Sequence, residues 1–315
     1  MVPSDANHAF LYVANATNGT VSTFSIASGK STRVATATVP SFATPTAIAS
    51  TPPQNFLYLA TSDGSIYLNT IDGNGILKPG NNGNPVATVS QPIWMSMDRT
   101  GEWLFVASAS ARRMQEFRVD AATGELQLST QTIALDAGTP AEIYLTPDNQ
   151  RLFVALGKGG VDEFSFDAAT GALGNRHHIA TLHRGISADI ALVSDDESKD
   201  LFVAESNSGI RAFAILPGEP VQEIAGSPFG PSQAAPNAVA VDSSRSNLYV
   251  TAGDSGASRT LTRYSISGDG SLTPISTTPF SADSFPAATR LDGSGNYLLS
   301  ISKNAVPVLS PISTQ

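Results

Sequence analysis

Leu104-Phe105-Val106-Ala107-Ser108 and, 48 residues on, Leu152-Phe153-Val154-Ala155-Leu156 are two copies of one short apolar phrase. It returns as Leu11-Tyr12-Val13-Ala14-Asn15, Leu57-Tyr58-Leu59-Ala60-Thr61, Leu201-Phe202-Val203-Ala204-Glu205, Leu248-Tyr249-Val250-Thr251-Ala252 and Leu298-Leu299-Ser300-Ile301-Ser302. The starting points lie 46 to 50 residues apart. A short run rich in aromatic and β-branched residues reads as a strand. Strands recurring with a period near 47 read as a propeller, one four-stranded antiparallel blade per period. The expected fold is therefore all-β, a seven-bladed β-propeller that uses residues 1–315 as a single domain.

One period shows the expected anatomy. Pro92 to Met97 forms an inner strand, Asp98-Arg99-Thr100-Gly101 a turn, Trp103 to Ala107 a second strand and Met114 to Val119 an alternating third strand. Ala121-Ala122-Thr123-Gly124 makes a hairpin before the outer strand opens at Leu126. The stretch Asp120 to Leu126 (DAATGEL) recurs as Asp167 to Leu173 (DAATGAL), where glycine supplies the positive φ of a tight turn. Prolines at 45, 92, 140, 236 and 286 precede the inner strands, since proline holds an extended approach but cannot donate to a ladder. Asp98, Asp148, Asp195, Asp242 and Asp292 repeat in phase and read as turn residues capping local backbone groups. The first period lacks an upstream inner strand, and the last ends soon after a third strand.

Composition removes several function classes. A net charge of -9 argues against a nucleic-acid surface, which needs clustered Lys and Arg. No apolar run is long enough for a membrane-spanning helix. Without cysteine there is neither a disulfide nor a thiol nucleophile. The first residues, Met1-Val2-Pro3-Ser4-Asp5, show no signal-peptide pattern. Little Lys with much Ser, Thr and Asn resembles extracytoplasmic bacterial proteins, so a periplasmic or secreted monomer is expected over a cytoplasmic one.

The Asp-Ala-Ala-Thr-Gly-x-Leu turns, the Leu-Tyr/Phe-Val-Ala strands and Leu145-Thr146-Pro147-Asp148-Asn149-Gln150-Arg151-Leu152 together resemble one known family. So does Ala225-Gly226-Ser227-Pro228-Phe229 leading into Pro236 to Asp242. This is the seven-bladed lactonase family, which includes bacterial 6-phosphogluconolactonase and fungal carboxymuconate-lactonising enzymes. The resemblance spans nearly the whole chain and implies hydrolysis of a sugar or carboxylated lactone without a cofactor or metal. It places the site on one face near the central channel. The family's glutamate closing a second strand matches Glu205. Its Pro-Arg-His run falls on about Ser187-Ala188-Asp189, and a histidine one blade earlier falls near Ala141-Glu142. Its later arginines fall among Gln233-Ala234-Ala235 and Ser284-Phe285-Pro286.

Residues that break phase at the loops are the candidates for chemistry. Glu205 ends an apolar strand where other periods carry Asn15, Thr61, Ser108 and Leu156. A partly desolvated carboxylate there suits general-base work. His183 and Arg184, before the adjoining inner strand, are expected to hold an anion and steady an oxyanion. Arg112, Arg113, Lys158, Asn207, Asp189, Glu142 and Arg259 are expected to contribute to substrate binding. The alternative function is a non-catalytic propeller that binds a protein, glycan or small ligand through this loop face. His177 and His178 are neighbours on a strand and point to opposite faces, so no shared metal is expected. Gly253-Asp254-Ser255-Gly256 mimics a serine-protease nucleophile segment but reads as a hairpin without an identifiable His and Asp. Trp94, Met95 and Met97 are expected to fill space between blades.

Overall fold

The structure, a computed structural model, describes residues 10–27, 30–40, 43–52, 54–182, 189–195, 197–231, 235–242, 244–253, 260–279, 288–291, 297–301 and 307–311. These residues form antiparallel sheets that follow one another along the chain with no α-helix among them. Sheet 1 runs over residues 10–38, sheet 2 over 45–88, sheet 3 over 92–134, sheet 4 over 142–179, sheet 5 over 189–223, sheet 6 over 236–279 and sheet 7 over 288–311. Sheets 3 to 6 each have four strands in simple up-and-down order. Sheet 2 has a fifth short strand beside its third, and sheets 1 and 7 have three described strands each. The architecture is an all-β propeller of antiparallel blades.

The recurring phrase forms the second strand of sheets 2 to 7 and the first described strand of sheet 1, and its alternation explains the packing. In Leu104-Phe105-Val106, Leu104 and Val106 pack against Tyr58, Ile66 and Leu68 of the preceding sheet. Phe105 turns the other way, onto Leu152, Val154 and Phe164 of the following one. Leu152 and Val154 look back in the same way, while Phe153 looks forward onto Leu201, Val203 and Phe213. Phe202 continues the series onto Leu248, Val250 and Tyr264. Period 2 of a strand thus becomes one apolar layer on each side of each sheet. Burying each such side chain is worth about 1.5–3 kcal/mol.

Hydrogen bonds reinforce these interfaces at similar offsets. Tyr58 Oη donates to the Gly124 carbonyl at 2.7 Å, Tyr12 Oη to Gly75 at 3.1 Å and Trp103 Nε1 to Ala168 at 2.8 Å. Each acceptor lies in or beside the hairpin turn of the next sheet. A Cβ on Gly124 would stand 2.8 Å from Phe56, and one on Gly171 would stand 2.6 Å from Trp103. The turn glycines therefore serve two needs, a positive φ (73° and 79°) and room for the neighbouring aromatic ring.

The in-phase aspartates cap turns. Asp98 Oδ1 accepts from the Trp103 N–H at 2.8 Å, and Asp195 Oδ1 from the Lys199 and Asp200 N–H groups. Asp242 Oδ1 accepts from Ser246 and Asn247, and Asp148 Oδ1 from Gln150. Asp292 lies outside the described residues.

One interface carries an anomaly. Glu116, on the third strand of sheet 3, faces sheet 4 beside Phe105, and only 2% of it is exposed. One period later Glu163 occupies the same register beside Phe153 and pairs with Arg151. In sheet 3 the place of that arginine is taken by Trp103. Both Glu116 oxygens lack a hydrogen-bond partner among the described residues, and burial pushes its carboxyl up to about 7. Between the unfolded value of 4.5 and about 7, the folded protein holds a proton that the unfolded chain has released. Stability therefore falls as pH rises through that window, by on the order of 3 kcal/mol from this group. Urea denaturation of wild type and Glu116→Gln between pH 4.5 and 8 measures it. The variant is expected to lose that part of the slope and to be the more stable protein at pH 8.

Candidate functional site

The innermost strands stand side by side around the axial side of the sheets, in the order of their sheets. Pro45 pairs with Thr61, Pro92 with Ser108 and Pro236 with Ala252, so these prolines are the first residues of their strands. A one-residue bulge follows each of them, and another follows Asp189. Such bulges re-aim side chains. The extra residues Thr46 and Ile93 line a cavity of about 660 Å³ on the axial side of sheets 2, 3 and 4.

An innermost strand is a sheet edge, and its outward N–H and C=O groups need partners. Here side chains from the preceding sheet supply several of them. Trp94 Nε1 donates to the Ile143 carbonyl at 3.1 Å. The Leu192 N–H donates to Glu142 Oε2 at 3.1 Å, and Tyr144 Oη lies 3.1 Å from Ser194 Oγ. At the lower rim the Arg99 N–H donates to Asn149 Oδ1 and the Asp148 N–H to Ser198 Oγ. The partners in these contacts stand 49 or 50 residues apart, about one repeat.

The start of each innermost strand pairs with the end of the second strand, which defines an upper rim. Glu142 pairs in register with Ala155, and Asp189 with Glu205. The loops from second to third strands lie there too, bringing Arg112, Arg113, Lys158 and Asn207 to the same rim as exposed side chains. Glu142 is buried and lines the cavity. Asp189 opens its strand, and only its backbone is described. His183, Arg184 and Arg259 lie outside the described residues.

Glu205 is fully buried, outside the cavity lining. Its Oε1 accepts the Leu182 N–H at 2.8 Å and the Ser208 hydroxyl at 3.4 Å. Its Oε2 lies 3.5 Å from Arg211 Nη1. Arg211, which the sequence reading does not single out, is the hub. Its Nε and Nη2 grip Glu223 at 3.0 and 2.9 Å, and its Nη1 donates to the Ala180 carbonyl at 2.7 Å. The guanidinium also sits 4.8 Å from the Phe213 ring centroid. The hydrogen bonds from Arg211 hold the Glu223 carboxyl below its ordinary range. The one sequence signal for this hub was an arginine within the otherwise apolar Gly-Ile-Arg-Ala-Phe run.

His177 and His178 point to opposite faces of sheet 4. His177 Nδ1 is 3.2 Å from Glu163 Oε2, and His178 Nδ1 is 2.9 Å from Asp162 Oδ1. Arg151 also pairs with Glu163, and Arg176 with Asp162 at 2.6 Å. Among the described residues, no group of three or more His, Cys, Asp or Glu is placed to hold a metal ion. Met95 and Met97 pack between sheets 2 and 3, as expected. Trp94 packs with the cluster between sheets 3 and 4, and it also forms part of the cavity wall.

The family model for "Lactonase, 7-bladed beta-propeller" matches residues 10–308. The chain belongs to this lactonase propeller family. Among solved structures, the lactonase-family chain is similar to a candidate 6-phosphogluconolactonase from Bacteroides uniformis, at 16% identity and TM-score 0.77. That match covers 98% of this chain and 93% of the other. A second candidate 6-phosphogluconolactonase, from Bacteroides fragilis, matches at 16% identity and TM-score 0.73, covering 98% and 95%. The periplasmic gluconolactonase of Pseudomonas aeruginosa matches at 16% identity and TM-score 0.70, covering 89% and 86%. At these identities the likeness is one of fold. No curated protein matches the sequence.

Removing Arg211 leaves Glu205 buried without its cation. Arg211→Met is expected to lose about 3–5 kcal/mol in urea unfolding. Adding Glu205→Gln to it is expected to restore part of that loss, because the amide carries no charge to strand.

Proposed function

We propose that this lactonase-family propeller hydrolyses a small lactone at the upper end of its axial cavity. The carrying observation is the coincidence of family membership over residues 10–308 with a cavity of about 660 Å³ that has a buried carboxylate, Glu142, in its wall. That volume lies within the usual range for small-molecule sites.

Ring opening needs a base for water and donors for the developing oxyanion. Water adds to the lactone carbonyl carbon while a carboxylate takes its proton. The tetrahedral intermediate then collapses, the ring C–O bond breaks, and the alkoxide leaves with that proton as a hydroxyl group. In this reading Glu142 is the base, because it lines the cavity and its Oε2 is oriented by the Leu192 N–H. Glu205, the residue the sequence favoured as base, is enclosed by Leu182, Ser208 and Arg211. We assign it instead to fixing the backbone at Leu182, the residue that precedes His183 and Arg184 in the chain. Those two keep their proposed roles of steadying the oxyanion and an acidic group of the substrate. Arg112, Arg113, Lys158, Asn207, Asp189 and Arg259 remain proposed binding residues of the same rim.

We also read the sheets as seven blades of one closed ring and a single domain. The support is the contact between the third strand of sheet 7 (Pro307–Pro311) and the outer strand of sheet 1 (Lys30–Thr38).

A second reading, ligand binding without turnover, is favoured by the enclosure of Glu205. A pH-indicator assay over a panel of lactones separates the two. Under the hydrolase reading Glu142→Gln loses on the order of 10²–10⁴ in kcat, while Glu205→Gln loses less. Absence of ring opening by wild type above the buffer rate leaves only the binding reading.

A further inference from the structure

An open strand edge is a template for an amide-bearing partner, because its free N–H and C=O groups recur with the spacing of peptide units. The ladder determines which groups of an innermost strand are free. The Thr51 N–H donates to the Phe56 carbonyl at 3.1 Å, and the Asp98 N–H to the Trp103 carbonyl at 2.9 Å. Along an antiparallel pair, residues that exchange bonds across the ladder alternate with residues that turn away from it. By register, Ala47 and Ala49 therefore bond across sheet 2, as Trp94 and Ser96 do across sheet 3. Ile48, Ser50, Met95 and Met97 turn their N–H and C=O groups to the axial side, and all four line the cavity.

The same parity frees Ile143 in sheet 4 and Leu192 and Ser194 in sheet 5, and there side chains close the edge. Trp94 bonds the Ile143 carbonyl, Glu142 the Leu192 N–H and Tyr144 the Ser194 carbonyl. In phase with Glu142 and Tyr144, sheet 2 carries Ala47 and Ala49, which have no side-chain polar atom to offer sheet 3. Sheet 1 has no described innermost strand from which a side chain would reach sheet 2. Among the described residues, no side chain bonds the backbone of Ile48, Ser50, Met95 or Met97. Two strand edges on the cavity wall are thus open, whereas those that follow are capped.

Met95 stands one residue below the level of Glu142, since Trp94 and Glu142 pair with in-phase alanines, Ala107 and Ala155. In a hydrogen-bonded pair, the N–H and C=O of one residue meet the C=O and N–H of the residue opposite. A lactone with an acylamino group on its α-carbon carries the same unit, its ring carbonyl serving as the C=O. We propose that the axial cavity takes α-acylamino lactones, seated by main-chain pairing with the open edge at Met95. The amide N–H donates to the Met95 carbonyl, and the lactone carbonyl accepts the Met95 N–H. That donor stays on the oxygen as it becomes an oxyanion, beside the donors already proposed. The acyl tail is left to the rim, whose basic residues suit an acidic one. This rests on the lactonase reading for turnover, but seating by the amide is tested by binding alone.

α-Acetamido-γ-butyrolactone and α-acetoxy-γ-butyrolactone differ in one N–H, which the ester lacks. With each rate divided by its rate in buffer, wild type is expected to open the amide-bearing ring at least tenfold better in kcat/KM. 2-Acetamidocyclopentanone and 2-acetoxycyclopentanone, whose rings do not open, report binding by NMR titration. The amide is expected to bind about tenfold more tightly. Saturation with it is expected to slow hydrogen exchange of the Met95 N–H at least tenfold. Ala47→Gln puts a side-chain oxygen in phase with Glu142, within reach of the Met95 N–H. It is expected to bring amide and ester within about twofold of each other. Where that variant fails to fold, the exchange measurement on wild type decides. Equal binding of the two ketones, no binding of the amide, or Met95 exchange unchanged at saturation would overturn the proposal. Opening of both lactones alike would do the same and leave the lactonase reading standing. Amide-selective binding with no lactone opened would support the ligand class and overturn the lactonase reading.

Discussion

Each sheet of this molecule has two apolar faces and cannot bury either of them alone. The second strands resolve this by alternation: leucine and valine face back, and the aromatic between them faces forward. Leu104 and Val106 against Tyr58, then Phe105 against Leu152 and Val154, is the unit from which the described interfaces are built. Its consequence is directional. Each of sheets 1 to 5 is completed by the one after it, so stability is shared between neighbours along the series.

Several polar contacts share this directionality, while Asn149 and Ser198 at the lower rim reach back. Tyr58, Trp103, Trp94, Glu142 and Tyr144 all reach forward into the next sheet. On the axial side they satisfy edge groups that an open sheet would leave to water. The walls of the axial cavity are thus also its structural ties, which fixes their side chains before any ligand arrives. The turn glycines belong to this scheme as well, because a Cβ at Gly171 would strike Trp103 of the preceding sheet.

Repetition also shows where the chain departs from its own pattern. Glu163 with Arg151 is a paired buried carboxylate, and Glu116 with Trp103 is the same position one period earlier without the cation. Trp103 gains a tight interface with Ala168 and Gly171, and the exchange strands a carboxyl. In sheet 5 the departure runs the other way, where Arg211 gathers Glu205, Glu223 and the Ala180 carbonyl into one buried cluster. It ties the strand leaving sheet 4 to the body of sheet 5.

The order of strands, their polarity and the turn aspartates were legible in the sequence, because period 2 and the recurrence of Asp-Ala-Ala-Thr-Gly are local properties of the chain. So was the separation of His177 from His178, which follows from adjacency in a strand. Tertiary structure alone decided which charges are buried and what they meet. Arg211 looked like one arginine in an apolar run, and Glu205 like a carboxylate at a loop. Only the approach of residues 180–182 and Glu223, far apart along the chain, makes them a closed cluster. Trp94 was legible as an apolar exception, but its two duties, packing and cavity wall, depend on the neighbouring sheet coming to rest beside it. Local pattern sets which face a side chain takes, whereas its solvation is set by groups that are distant in sequence.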